Sequence, residues 1–457
     1  MYVLWYPMQH ILPLIRKHLW FQLPKPATPI IQFPVPSTQQ VVVGVADIFA
    51  GIHPNFIGIG LLFVLVGVFF YIKIKYPFWN LQPVYHTYDA WRWFQYSPYI
   101  VQKIPIKTRY FDKDKMVETR LVADLDRPQF QQIWRFVQSH YIPSDRILFD
   151  IYETEFKSQF IGHNGPVYVS VYHSPVCSAD TSGDMVVQTA IISGCVFSKP
   201  VQIAFANNTE IVDAFYIDYL CVHREKPELA RTTFQTHEYR CRILSPDIRC
   251  SVFRKEVELC PGVVPFVEFD VCTYYLRNFK VENLPPKYQI VHIRKENASL
   301  LHDFWANLST PANLGEFFDV AVFPDIGAWI AQIREKRMWV CCLMRDTHVY
   351  AVYILQNTRL LYEELDGKGA LCCAASVCNC DNQDLFNDGF LHAVRSVLKE
   401  NNEFRLLTID AVGHNVHLDR AWLAVASRVM HTKAAYYTFN LVVPATPMAT
   451  ERVFVCI

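Results

Sequence analysis

Between Phe56 and Ile72 the chain runs for 17 residues without a charged side chain, built largely from Leu, Val, Ile, Phe and Gly. A run of this kind has few homes. One helix of roughly 17 to 25 apolar residues crosses the hydrocarbon core of a bilayer, whereas a soluble protein hides a helix that is apolar all round inside its core. Two readings therefore stand, a single transmembrane anchor over residues 56–75 or a buried apolar helix. The run starts too far from Met1 for an ordinary signal peptide. Upstream, Pro24, Pro26, Pro29, Pro34 and Pro36 break any continuous helix and favour an extended, Pro-rich arm over residues 1–55.

Flanking charge orients the anchor. The twenty residues before the run carry no Lys or Arg, while Lys73, Lys75 and Arg92 follow it. The positive-inside rule then places residues 76–457 in the cytoplasm of a single-pass membrane protein. Tyr76, Trp79, Trp91 and Trp93 would suit an aromatic belt at the interface. The 14 cysteines show no small-domain disulfide spacing, and free thiols in a reducing compartment agree with the cytosolic side. Sequons at Asn207, Asn297 and Asn307 would argue the other way if used. Lys plus Arg equals Asp plus Glu at 43 each, so no basic excess points to nucleic acid.

After the anchor, helical and strand periods alternate. Asp126 and Pro128 start a helix whose apolar positions are Phe130, Ile133, Trp134, Val137 and Tyr141. Val167, Val169 and Val171 alternate as a strand does. Residues 187–197 and 201–205 read as a strand pair, 211–222 as a long buried strand, and 229–244 as the helix after it. The pattern breaks at Leu284-Pro285-Pro286, which divides residues 76–283 from 284–457. Beyond it, Phe386, Phe390, Leu391, Val394 and Leu398 mark a helix, and 406–409 a strand. A last strand pair is expected through 436–443 and 453–456. The expected fold is mixed α/β, with two successive halves behind one membrane helix.

Two short motifs carry a resemblance. Phe78-Trp79-Asn80-Leu81-Gln82-Pro83-Val84 differs at one place from the FWxTQPV signature of glycylpeptide N-myristoyltransferases, and Tyr219-Leu220-Cys221-Val222-His223 is similar to that family's FLCVH strand end. The stretch from Asp124 through Phe156 and the strand Ala434 to Pro444 are similar in order and spacing. The resemblance spans residues 76–457. It implies two tandem acetyltransferase-like (GNAT-type) halves, the first holding myristoyl-CoA and the second most of the peptide groove. The reaction implied moves a myristoyl group from its CoA thioester to an N-terminal glycine amine, with myristoyl-CoA as co-substrate and no permanently bound cofactor.

The chemistry explains the residue types. Attack on a thioester builds negative charge on the carbonyl oxygen, which paired backbone N–H groups stabilise. The resemblance puts those amides at Tyr219 and Leu220, with Cys221 and Val222 continuing the thioester-holding strand. It makes the terminal carboxylate of Ile457 the base that deprotonates the ammonium. A free α-carboxyl is a weak base until desolvation raises its pKa, and the apolar ending 453–457 suits burial. The alternative there is an ordinary last strand with a solvated end. Tyr76, Phe78 and Trp79 would lie by the CoA nucleotide; the alternative for Trp79 is a core aromatic.

Three departures weigh against turnover. The family's phosphate loop of small and basic residues reads Arg224-Glu225-Lys226-Pro227-Glu228-Leu229-Ala230-Arg231 here. Pro227 removes a donor and Glu228 brings a negative charge to the helix start. Arg224, Lys226 and Arg231 could bind phosphates in compensation, or the segment is a capped surface helix start that binds nothing. A YTAG stretch in the family aligns with Phe253-Arg254-Lys255-Glu256, and the glycines near the family's C-terminus are replaced by Glu451, Arg452 and Phe454. Thiol catalysis by Cys221 with His223, and zinc at Cys372, Cys373, Cys378 and Cys380, are set aside because both segments read as packed strands. The expectation is an N-myristoyltransferase-like acyltransferase, with a catalytically degenerate, membrane-tethered binding or scaffold protein as the alternative.

Overall fold

A computed structural model describes residues 54–457, apart from 90–93, 96, 143, 145, 180–184, 207–210, 277–278, 309, 366, 381 and 445. Most of the Pro-rich arm, along with Trp91, Arg92 and Trp93, lies outside the described residues. The apolar run forms the helix Pro54–Lys75, with Lys73 and Lys75 in its last turn, where cations suit the helix dipole. Its Gly58–Lys75 stretch has a mean hydropathy of 2.0. At 1.5 Å per residue, 22 residues make about 33 Å of helix, enough for a hydrocarbon core of roughly 30 Å. Among the described residues it alone is long and apolar enough to cross a membrane, a statement of length and composition only.

From Ile72 onward the chain forms a second compact unit, organised by one large mixed sheet. From one edge the strand order is Val453–Val455, Val320–Phe323, Met185–Phe205, Val212–Val222, Cys250–Glu256 and Arg428–Phe439. It continues through Val267–Tyr275, Phe404–Asp410, Lys368–Cys378, His348–Tyr362 and Met338–Arg345 to Tyr288–His292. Strands from either side of residue 284 are intermixed along this path, so a single hydrogen-bonded ladder carries both.

Helices cover the faces. Arg127–His140 starts as its sequence requires: Asp126 accepts from the Gln129 amide at 2.8 Å while the Gln129 side chain accepts from the Asp126 amide at 3.2 Å. This reciprocal capping satisfies two otherwise orphaned donors, and Phe130, Ile133, Phe136 and Val137 turn inward. Leu229–Leu244 and Gln383–Glu400 run where the pattern predicts. The latter approaches the sheet so closely that a Cβ at Gly389 would lie 2.5 Å from the Tyr353 hydroxyl. That hydroxyl donates to the Phe386 carbonyl at 2.6 Å.

Two expectations are corrected. The strand pair read over 187–205 is one strand of 21 residues, Met185–Phe205. Its ladder to Val212–Val222 runs straight through Ser198, Lys199 and Pro200. On the other edge the ladder to Tyr168–Ala179 ends at Ser198 and that to Val320–Phe323 begins at Gln202. Pro200 falls in the gap between them, where its missing N–H has no partner on that edge to lose. The terminal strands are also not a pair. Arg428–Phe439 inserts between Cys250–Glu256 and Val267–Tyr275, while Val453–Val455 lies parallel to Val320–Phe323. Adjacent strands usually pair with each other, and here the edge beside Val320 is the one left open to the last segment.

Candidate functional site

The strand Val212–Val222 changes character at its end. Its parallel ladder to Cys250–Glu256 stops at Ile217, opposite Phe253. Its antiparallel ladder to Met185–Phe205 pairs Cys221 with Cys195 and Asp218 with Phe197. Tyr219 and Leu220 therefore face the single residue Val196, which is a β-bulge. Tyr219 takes a positive φ of 50°, a left-handed conformation that costs a bulky residue of order 1–3 kcal/mol. Strain of that size persists where the surroundings impose it, and here the side chain is the anchor. Tyr219 is buried, donates its hydroxyl to Gln159 Oε1 at 2.8 Å, and packs on Tyr141 and Phe156. Leu220 is partly exposed.

The Tyr219 amide, one of the two expected oxyanion donors, already has an acceptor: it donates to Asp218 Oδ1 at 2.9 Å. The other carboxylate oxygen lies 3.5 Å from the Lys199 ammonium. Lys199 is buried; burial pulls its pKa down from the usual lysine value and Asp218 partly restores it. Its cation also sits 5.4 Å from the Tyr216 ring centre and acts electrostatically on the Cys456 thiol. Lys199 stands on Met185–Phe205, and the last strand lies two strands away in the sheet, beyond Val320–Phe323. The Cys456 amide donates to the Val322 carbonyl at 3.0 Å, and the Ile457 main-chain oxygen accepts from Gln356 Nε2 at 3.2 Å. Ile457 itself is half-buried against the core formed by Val320, Val322 and Val453.

The remaining expected residues fall in three places. Cys221 is buried, with its thiol 3.4 Å from that of Cys195, and Val222 pairs with Gly194. Phe78 is buried, and Trp79 stacks on Phe253 with ring centres 5.7 Å apart. Tyr76 lies flat over Gly262, whose φ of 76° and lack of a side chain make room for the ring. Arg224, Lys226 and Arg231 are exposed. The loop amides near them are engaged in tight turns: Lys226 donates to His223 at 2.8 Å, Leu229 to Lys226 at 3.1 Å, and Ala230 and Arg231 to Pro227 and Glu228 at 3.3 Å. Glu228 begins the helix without a side-chain cap bond.

At the departure around residue 254, Arg254 is clamped by both oxygens of buried Asp410, at 2.5 and 3.0 Å, and by Glu256 at 2.6 Å. Burial opposes its charge, but the two carboxylates outweigh burial and raise its pKa. The guanidinium is a structural tie between Cys250–Glu256 and the end of Phe404–Asp410. Among the cysteines whose side chains are described, Cys378 and Cys380 are partly buried and the rest are buried. The sequence reading missed Asp218 and Lys199. Their signal was a lysine inside an otherwise apolar run, which reads more naturally as a turn.

No protein-family model matches the chain, and no curated protein matches its sequence. Solved structures do match. Saccharomyces cerevisiae N-myristoyltransferase with bound myristoyl-CoA superimposes with a TM-score of 0.60 at 11% identity, over 84% of this chain and 99% of that one. A second structure of that enzyme with myristoyl-CoA gives 0.58 at 12% identity, over 84% and 94%. A third, with myristoyl-CoA and inhibitors, gives 0.58 at 11%, over 84% and 98%. At these identities the likeness is one of fold. The chain has the α/β acyltransferase fold of N-myristoyltransferases.

Proposed function

We propose that the chain is a membrane-anchored acyl-CoA N-acyltransferase that moves a myristoyl group from myristoyl-CoA to the N-terminal glycine amine of a protein. The observation that supports this reading is the bulge at Tyr219–Leu220, where the sheet parts, in a fold that superimposes on N-myristoyltransferase with bound myristoyl-CoA. The thioester carbonyl would sit at the parting, with the Tyr219 and Leu220 amides turned to its oxygen. Asp218 would yield the Tyr219 amide as the oxyanion forms, and Lys199 would keep the displaced carboxylate neutralised. The Ile457 carboxylate, steered by Gln356, would take the proton from the incoming ammonium. The acyl chain needs apolar surroundings and the CoA phosphates need cations. Arg224, Lys226 and Arg231 are the expected phosphate partners, with Tyr76, Phe78 and Trp79 by the nucleotide. The helix Pro54–Lys75 would hold residues 76–457 at the cytoplasmic face of a membrane.

A second reading, in which the fold binds but does not transfer, draws on specific observations. A carboxylate already holds one oxyanion donor, the loop amides are spent in turns, and Arg254 is locked into an ion pair. The deciding experiment is calorimetric binding of a non-hydrolysable myristoyl-CoA analogue to the purified chain, followed by transfer to a glycine-initiated peptide. CoA-dependent binding with transfer supports the enzyme. Binding without transfer supports the degenerate form, and no binding removes both acyl-CoA readings.

A further inference from the structure

Directly after the apolar helix, the chain turns under a basic loop. Arg109 donates from Nη2 to the Pro77 carbonyl at 3.0 Å, two residues beyond the helix end at Lys75. Consecutive Cα atoms are about 3.8 Å apart, so Pro77 cannot stray far from wherever Lys75 sits. Arg109 belongs to an open cleft of about 730 Å³ whose walls carry Lys107, Lys113, Lys115 and Arg240. The cations are built in, not merely scattered: Lys107 lies over the rings of Phe111 and Tyr239, at 4.7 and 5.2 Å from their centres. Asp112, the acid closest to hand, is buried and spent on the Asp114 and Val117 amides at 3.1 and 2.7 Å. Within residues 103–115 the exposed acid is Asp114, against Lys103, Lys107, Arg109, Lys113 and Lys115.

The same loop exposes apolar side chains among its cations. Ile104 is 76% exposed and Ile106 57%, and at the end of Leu229–Leu244, whose Arg240 and Ile243 line the cleft, Ile243 and Leu244 are about half exposed. Aliphatic residues interleaved with lysines form the pattern of a surface that dips into a headgroup layer while its cations meet anionic lipid. We propose that this face, Ile104 to Lys115 with Arg240 to Leu244, docks on the anionic leaflet of the membrane that the Pro54–Lys75 helix spans. The inference rests on the anchor reading. It adds that the folded part touches the bilayer through this face. The choice of occupant follows from charge complementarity and from the tie between Arg109 and Pro77, which holds the basic loop next to the membrane exit.

The test uses the full chain in lipid nanodiscs, of phosphatidylcholine alone or with phosphatidylserine added, and reads amide hydrogen exchange over 103–115 and 240–244. Exchange there should slow by about tenfold in the anionic discs, as expected for several cations each drawn to the surface. The effect should vanish at high salt and in the Lys107→Glu/Lys113→Glu/Lys115→Glu variant. Equal exchange in both discs, from a chain that resists carbonate extraction, keeps the anchor and overturns the docking. Extraction by carbonate overturns the anchor and the docking with it. Protection reproduced by inorganic phosphate in neutral discs also overturns the proposal, because the cleft would then be a site for a soluble anion.

Discussion

The Asp218 carboxylate bridges the Tyr219 amide and the Lys199 ammonium, accepting from the first at 2.9 Å and lying 3.5 Å from the second. On the proposed mechanism, a negative charge therefore stands where the thioester oxyanion would need its donor. Charged acceptors hold an N–H about twice as strongly as neutral ones, so the carboxylate competes with the carbonyl oxygen of a substrate. Asp218→Asn keeps the shape and removes the charge. It should raise kcat for transfer to a glycine-initiated peptide about tenfold, equivalent to ~1.4 kcal/mol of barrier. A rate that falls instead would mean that the carboxylate assists the reaction. If the native chain transfers nothing, this variant is the one in which activity should first be seen.

The same bridge sets a stability prediction. Lys199 and Asp218 have side chains only 5% and 17% exposed, and removing one member of such a pair leaves the other charge stranded. Lys199→Met should destabilise the fold by about 3 kcal/mol, read as a shift of the urea midpoint. Asp218→Asn combined with Lys199→Met should recover most of that loss, and a double-mutant cycle measures the coupling directly. Strict additivity of the two substitutions would show that the bridge contributes nothing to folding.

How much of this was legible from the sequence depends on which force set each feature. The helices 127–140 and 383–400 obey local rules of capping and period, 229–244 follows the period alone, and all three lie where those rules put them. The course of Met185–Phe205 does not. Lys199-Pro200 is turn chemistry by composition, but Asp218 neutralises the lysine, and the proline falls between two ladders. Such a partner is set by tertiary structure and cannot be seen from neighbours in sequence. The position of the last strand was hidden for the same reason, since it depends on which sheet edge remained open. The tight turns at 226–231 express Pro227 and Glu228 faithfully, whereas the clamp on Arg254 needs Asp410, 156 residues away.

The end of the chain is held in place by main-chain bonds, so its chemistry can be tested without disturbing the core. Val453–Val455 is locked to Val320–Phe323, and Gln356 reaches the Ile457 oxygen. A single residue added after Ile457 should abolish transfer, more than about 10² in kcat if the carboxylate is the base. Circular dichroism and the melting temperature should be unchanged. Gln356→Ala should cost less, about tenfold, because it loosens the carboxylate without removing it. Full activity of the extended chain would remove Ile457 from the mechanism.

Two neighbours on Leu229–Leu244 give the fold opposite responses to pH. Burial pushes His237 down from 6.5 to about 3, and burial pushes Glu238 up from 4.5 to about 7, the latter opposed by Arg242 and by a bond from Ser251 at 3.1 Å. For His237 the unfolded chain binds the extra proton between about 3 and 6.5, so its contribution to stability rises with pH across that window. For Glu238 the folded chain binds the extra proton between 4.5 and about 7, so its contribution falls as pH rises. Each slope is about 1.4 kcal/mol per pH unit, and between 4.5 and 6.5 the two cancel. The pair alone therefore gives a plateau, with losses below about 4.5 and a smaller loss towards 7; His414, pushed by burial to about 4, tilts that plateau upward between about 4 and 6.5. Glu238→Gln should uncover the histidine slope, so that the urea midpoint climbs steadily up to pH 6.5 and is then flat. His237→Gln should leave the glutamate slope opposed by His414 alone, so that the midpoint is nearly flat from pH 4.5 to 6.5 and then declines to about 7. Superimposable pH profiles for the two variants would show that neither group is held in its displaced protonation state.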